Sequence, residues 1–350
     1  MANRNHRSSN AVHWTALCCL ALALVGCERP VALETVQGRT MGTTWAVTVA
    51  DPPRGFDADV LTRNIETVLA AVNKEMSTYD PESEISRFNA APGDGAWFPV
   101  SARFADTTAR ALAFSELSQG AFDPTVGPLV NLWGFGPEAT AADLPSDADI
   151  DAARALVGYA AIRVRAPELG AALAKTAPRR LDLSAIAKGA GVDAVAEYLI
   201  AQGLTNVLVD IGGELRAVGS KDGQGWRIAI ETPTKGARGV QSVIALSDRA
   251  IATSGDYRNY REIDGVSYSH TIDPNTGRPV VHALASVSVA EESCAVADGW
   301  ATTLLVLGPE RGFALAQARG LAALFIERDG ATSHVRETTQ WTREFQQEAQ

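Results

Sequence analysis

Ser254-Gly255-Asp256-Tyr257-Arg258-Asn259-Tyr260, then Glu262-Ile263-Asp264-Gly265-Val266, then Ser269-His270-Thr271-Ile272-Asp273-Pro274 is the stretch on which the reading of this chain turns. Asp264-Gly265 can supply the positive φ values of a two-residue turn, and alternating apolar residues on either side predict two short antiparallel strands joined there. Asp273-Pro274-Asn275-Thr276-Gly277 is a second turn, with Pro fixing φ and Gly or Asn accepting left-handed geometry. His270 is therefore expected where a strand gives way to a loop, inside the most polar and titratable window outside the tail.

Outward from this hairpin, strands are expected before it over Trp226–Glu231, Val240–Leu246 and 250–253. After it come a strand at 285–290, helices over 294–307 and 311–318, and a strand at 322–326. Asp329-Gly330-Ala331-Thr332 reads as a hairpin turn. Further upstream, 181–184 reads as a strand, 185–191 as a loop, 192–202 as a helix and 207–210 as a strand ended by Gly212-Gly213-Glu214. Residues 40–49 alternate as a first strand opened by Met41-Gly42-Thr43-Thr44, and 57–76 place Ile65, Val68, Leu69 and Val72 on one helical face. Ser101 is suited to cap a helix over 102–117, and a short helix is expected near 151–157.

Two segments escape periodicity. Ser77 to Asn89 is polar without pattern. Gly120-Ala121-Phe122-Asp123-Pro124-Thr125-Val126-Gly127 through Gly136 is too rich in Gly and Pro for a long element and too aromatic for a loose loop, so a shaped wall is expected. Residues 137–147 read as a surface insertion. Strands and helices alternate irregularly with hairpins among them, which predicts an α+β fold, mixed or antiparallel sheets with packed helices, over a doubly wound parallel one.

At 350 residues the chain can bury a large core, and 46% of it is hydrophobic. A formal charge of -10 argues against a nucleic-acid partner, which would want a basic face. Arg4, His6 and Arg7 precede an apolar run at 16–25, too short to span a bilayer and of signal-peptide length. Leu24-Val25-Gly26-Cys27 resembles a bacterial lipobox, with Cys27 as the lipidation site; the alternative is an unlipidated signal or an apolar anchor. Once that segment is removed and Cys27 is lipidated, Cys294 is left alone, expected in core packing, so no disulfide framework or thiolate metal cluster is available.

Several constellations could carry chemistry. Gly189-Ala190-Gly191-Val192-Asp193-Ala194 satisfies a Gly-x-Gly-x-x-Ala dinucleotide pattern with Asp210 about twenty residues on. Ser184 to Lys188 intervene between strand and first glycine, however, so close helix packing is the preferred reading. Asp182 and Lys188 could place an acceptor and a cation near a helix N-terminus, suited to phosphate, or be a surface acid and base. Asp298 and Thr302, four apart on a mostly apolar helix, put carboxylate and hydroxyl on one face. That pair suits Mg²⁺, although a helix-cap or core hydrogen bond is the preferred reading of the residues alone. No histidine pair has zinc spacing and no Gly-x-Ser-x-Gly elbow is found.

Ser-His-Thr-Ile-Asp-Pro with Thr-Gly-Arg-Pro resembles the signature of the FAD:protein FMN transferases, the ApbE lipoproteins. Further blocks match in order: Met41 to Trp45, Ser77 to Asn89, Ala121 to Gly127, Asp182 to Asp193, and Ala297 to Thr302. The resemblance covers residues 38 to 326. It implies a signal peptide over 1–26, a lipidated linker over 27–37, a transferase domain over 38–335 and a tail over 336–350.

Carried over residue by residue, it implies that Met41, Tyr79, Ala121, Phe122, Asp123, Asp182, Lys188 and Ile272 line the FAD site. Asp298 and Thr302, with backbone oxygen near Ala185 and the carbonyl of Ala301, would hold Mg²⁺. His270 is the expected base, activating a Thr or Ser hydroxyl of a partner protein that takes FMN from FAD and releases AMP. Implied acceptors are exported subunits of membrane redox complexes, such as sodium-pumping quinone reductases. The implied location is the bacterial inner membrane, lipid-anchored and facing the periplasm. Two other readings use the same residues: hydrolysis of FAD to FMN and AMP, and flavin binding or scavenging without turnover.

Overall fold

Eight antiparallel strands form the central sheet of the computed structural model, in the order Leu33–Thr40, Thr43–Ala50, Val207–Ile211, Glu214–Val218, Ala250–Gly255, Leu284–Glu291, Ala322–Asp329 and Thr332–Glu337. The structure describes residues 1, 31–138, 143–234, 239–257, 259–263, 265–330 and 332–346. The chain divides into an N-terminal unit, Met1–Ala32, and a second unit, Leu33–Gln350, which carries everything below. The expected signal segment, Cys27, Arg258, Asp264 and Ala331 lie outside the described residues. Among the described residues no helix is long and apolar enough to cross a membrane.

In chain order the strands are β1 Leu33–Thr40, β2 Thr43–Ala50, β3 Phe98–Pro99, β4 Ile162–Arg165, β5 Ala172–Lys175, β6 Val207–Ile211, β7 Glu214–Val218, β8 Trp226–Glu231 and β9 Val240–Leu246. They continue as β10 Ala250–Gly255, β11 Tyr260–Ile263, β12 Val266–Ser269, β13 Ile272–Asp273, β14 Arg278–Pro279, β15 Leu284–Glu291, β16 Ala322–Asp329 and β17 Thr332–Glu337. The α-helices are α1 Ala58–Met76, α2 Glu84–Ala90, α3 Ala102–Leu117, α4 Gly127–Leu132, α5 Asp147–Arg154, α6 Ser184–Ala201, α7 Cys294–Arg319 and α8 Thr339–Phe345. The expected α+β class with antiparallel sheet is what the chain adopts.

Local chemistry explains most of these elements. Asp57 caps α1 by accepting the Val60 amide, and Ser101 caps α3 by accepting that of Phe104. Leu61, Ile65, Leu69, Val72 and Met76 form the buried stripe of α1. The hairpin of β11 and β12 pairs Tyr260 with Ser269 and Ile263 with Val266, and Gly265 takes φ +77°. β16 and β17 meet at the expected turn, where Gly330 has φ +59°.

Helices α6 and α7 pack on the sheet and on each other. Gly189 makes this possible: a Cβ there would sit 2.4 Å from the Cys294 carbonyl oxygen. The glycine motif is thus a helix contact, as expected. Asp193 of α6 caps α7, accepting the amides of Cys294 at 2.9 Å and Ala295 at 3.0 Å, the Ser293 hydroxyl at 2.7 Å and Arg216 Nη1 at 2.7 Å. Cys294 is buried beside it and free, in agreement with the packing role expected.

Near its middle α7 breaks, and Gly308 has φ 78° and ψ -176° before Pro309, so the two helices expected from sequence are real. Pro309 lacks the N–H that would serve the Leu305 carbonyl. His282 replaces it, with Nε2 donating to that oxygen at 2.8 Å.

Four expectations need correction. Residues 33–37 belong to β1 instead of a linker, because the edge strand pairs Leu33 with Ala50 through Thr40 with Thr43. Residues 181–184 form no strand: Asn89 takes both backbone groups of Leu181, at 2.7 and 2.8 Å, and the Asp182 amide donates to Pro124 O at 2.7 Å. Helix α6 accordingly begins at Ser184, the last residue of what reads as a strand, and runs through the 185–191 segment expected as a loop. Residues 336–350 are not simply a tail, since α8 buries Trp341 and Thr338 ties it to Leu321 and Ala323.

Candidate active site

A cavity of about 1370 Å³ opens where the β1–β2 turn, the C-terminus of α1, the 121–137 wall, the starts of α6 and β7, the 254–274 region and α7 converge. Met41, Tyr79, Ala121, Phe122, Asp123, Asp182, Ala185, Lys188, His270, Ile272, Asp298 and Thr302 all line it. Ala301 does not. One residue from Thr302 is roughly 100° around a helix, and the Ala301 side chain is buried in the core instead.

The floor is electrostatic. Lys188 Nζ lies 2.6 Å from Glu214 Oε1, and Asp298 Oδ2 accepts the Gly189 amide at 3.0 Å. Burial pushes the Asp298 carboxyl up to about 7, the nearby Glu214 charge adds to this, and Lys188 and the Gly189 amide oppose it. Burial also raises Glu214, against the pull of Lys188. Burial alone would lower Lys188, but Glu214 and Asp298 outweigh it and hold the ammonium charged. Glu214 Oε2 is buried without a hydrogen-bond partner.

Thr302 Oγ1 lies 3.1 Å from Ser254 Oγ. In a regular helix the Gly189 amide would serve the Ala185 carbonyl; Asp298 competes for that donor and leaves Ala185 O with acceptor capacity. One carboxylate, one hydroxyl and one backbone carbonyl form a hard oxygen set of the kind Mg²⁺ accepts. The partnerless Glu214 oxygen and the strained ionisation of Asp298 both mark a place short of positive charge. The residues therefore fit a divalent cation, although no group of three or more His, Cys, Asp or Glu of metal-site geometry occurs among the described residues.

Along the wall, Asp123 is committed internally. Its oxygens accept from the Thr125 amide and hydroxyl at 2.7 and 2.6 Å and from the Tyr159 amide at 3.1 Å. Burial nevertheless raises its carboxyl above the ordinary value. Asp182 accepts the Ser184 amide at 2.9 Å, steadying the start of α6. Met41 has φ +48° in the β1–β2 turn, and Tyr79 stands 70% exposed at the rim. Ile272 belongs to a small satellite core with Leu129, Trp133 and Ile150, which joins the 121–137 wall to the hairpin.

His270 follows β12 directly. Its Nδ1 lies 2.9 Å from the Asn259 carbonyl, which can only accept, so Nδ1 carries the proton of the neutral ring and Nε2 is the acceptor. Burial lowers its pKa below the ordinary histidine value, while the Asn259 bond works against this. The ring meets Phe135 edge-on, with centroids 6.3 Å apart.

Glu214, the buried acid that pairs with Lys188 at the cavity, is missed in sequence, where a lone acid after Gly-Gly reads as the exit of a turn. Its position four residues past Asp210, at the mouth of a hairpin bearing two glycines, is the only local hint.

Solved structures share this architecture. The flavin transferase ApbE from Vibrio cholerae superposes with a TM-score of 0.82 at 44% identity, covering 90% of this chain and 100% of that one. The apo flavinyl transferase ApbE of Pseudomonas stutzeri gives 0.81 at 41% identity, covering 91% and 98%. The fold is thus that of a flavin-transferase-type protein. Among curated relatives, the FAD:protein FMN transferase of Vibrio cholerae serotype O1 is 46% identical over 90% of this chain and 93% of its own. That of Escherichia coli K12 is 39% identical over 90% and 92%. The model of the ApbE family matches residues 41–325. The chain belongs to the ApbE family, and with it to the transferase class of enzymes.

Proposed function

We propose that the protein transfers the FMN moiety of FAD to a threonine or serine hydroxyl of a partner protein, with Mg²⁺, releasing AMP. The observation that carries this reading is the meeting of His270, Lys188 and the Asp298–Thr302 pair at one cavity, from three separate stretches of chain. The cavity exceeds the ~300–1,000 Å³ of ordinary small-ligand pockets, which suits a dinucleotide together with part of an acceptor.

In the proposed reaction the acceptor hydroxyl attacks the FMN phosphorus of FAD. Its proton passes to Nε2 of His270, a new P–O bond forms, the pyrophosphate P–O bond breaks, and AMP leaves with the bridging oxygen. Asn259 holds the ring in the required tautomer. Lys188 would face the pyrophosphate as a fixed positive charge.

Asp298, Thr302 and the Ala185 carbonyl would hold Mg²⁺. When bound, the ion neutralises pyrophosphate charge and stabilises the leaving AMP. The need for it is electrostatic: Asp123, Asp182, Asp210, Glu214, Glu231 and Asp298 line the cavity against Lys188 and Arg261, so a diphosphate entering alone would meet net repulsion. We further infer lipidation at Cys27, placement on the periplasmic face of a bacterial inner membrane, and acceptors among exported redox subunits. These follow from the lipobox and the family resemblance.

Chromatography of nucleotides tests the activity. With FAD and Mg²⁺, AMP should form only when a competent acceptor is added. AMP together with free FMN in the absence of acceptor would make the protein a pyrophosphatase, and intact FAD under all conditions would leave a binding protein.

A further inference from the structure

Lys188 stands between two carboxylates that are each only 3% exposed, Glu214 and Asp298. Its ammonium rests on Glu214 at 2.6 Å, while the next residue, Gly189, holds Asp298 through its amide. A lysine on such a site pairs with whichever acid attracts it more. If it paired with Asp298, that carboxylate would be neutralised and closed to a cation.

Three features keep the ammonium on Glu214. The acid is the first residue of β7, paired in register with Ile211. The turn behind it is pinned, with the Gly213 amide donating to Asp210 Oδ1 at 2.9 Å and the Gly212 amide to Thr44 O at 3.0 Å. Glu214 Oε2 also has no hydrogen-bond donor of its own, whereas Asp298 already takes the Gly189 amide. The less satisfied carboxylate binds the ammonium more firmly.

We propose that Glu214 is a positioning residue that holds Lys188 away from Asp298 and so keeps Asp298 open to the divalent cation. This rests on the reading of Asp298 as a cation ligand. Glu214 need not touch the metal or the reacting atoms. Loss of its charge would release Lys188 to Asp298, and the cation site would be blocked by the protein's own side chain.

The test uses Mn²⁺ alone as the probe, titrated into the full chain without FAD and followed by electron paramagnetic resonance, with thermal melts to confirm folding. Glu214→Gln should weaken Mn²⁺ binding about 10–100-fold, the range expected when a ligand's support is removed. Adding Lys188→Met to that variant should restore affinity, because the competing ammonium is gone. Unchanged Mn²⁺ affinity in Glu214→Gln would overturn the proposal. A loss that the double variant fails to recover would also overturn it, making Glu214 a direct ligand or a purely structural group. Absence of Mn²⁺ binding to the unaltered protein would sink the reading of Asp298 itself, a failure visible before any variant is made.

Discussion

The backbone amide of Gly189 donates to Oδ2 of Asp298 across 3.0 Å, and this bond ties the two helices that carry the floor of the site. The same glycine lets those helices touch, since a Cβ would lie 2.4 Å from Cys294 O and 2.7 Å from Ala295 Cα. Both contacts are with backbone, which cannot rotate away. Gly189→Ala should therefore destabilise the fold by about 1–3 kcal/mol through overpacking. Chemical denaturation would read this, and divalent-cation affinity should fall with it as Asp298 is displaced.

Asp298 is a buried acid whose folded-state pKa is raised to about 7. Such a group binds its proton more tightly when folded, so the metal-free protein loses stability as pH rises from about 4 through 7 and the penalty is complete above that. Asp298→Asn removes the charge. In chelator, melting temperatures should be higher for the variant than for the unaltered protein at pH 8, with the gap closing toward pH 4. Cation binding should be lost in the same variant.

His270 should govern the acidic limb of the pH–rate profile. Burial lowers its pKa, so the neutral, basic ring persists to lower pH than in a free histidine. The rate should rise with pH through an apparent value below the ordinary ~6.5 and stay level toward neutrality. His270→Ala should cut transfer about 10²–10⁴-fold, the typical worth of a positioned base, while equilibrium dialysis finds FAD affinity little changed.

How much of this was legible in the sequence depends on how local each feature is. The hairpin before His270, the cap at Ser101 and the Asp298–Thr302 spacing are written in a few neighbouring residues, and all could be read. Strand β1 could not, because as an edge strand it buries only Val36 and Thr40 and shows no apolar alternation. Leu181-Asp182-Leu183 alternates like a strand, yet Asn89, ninety-two positions away, claims the Leu181 backbone. Nothing near Leu181 signals that. Glu214 is hidden for the same reason, since its burial and its lysine partner are both products of tertiary packing.

The α7 break offers a test of structure apart from chemistry. His282 supplies the hydrogen bond that Pro309 withholds from Leu305. His282→Ala leaves that carbonyl unpaired and should cost about 1–3 kcal/mol in urea denaturation. FAD affinity should stay close to that of the unaltered protein, because His282 does not line the cavity.

The central claim is that the hydroxyl of another protein, and not water, takes the FMN. Intact-mass spectrometry of a candidate exported acceptor domain, incubated with FAD, Mg²⁺ and the protein lacking residues 1–27, tests it most directly. The account predicts a mass gain of one FMN on an acceptor Thr or Ser, with AMP released, abolished by chelator and strongly slowed in His270→Ala. An acceptor that stays unmodified while free FMN and AMP accumulate would contradict it.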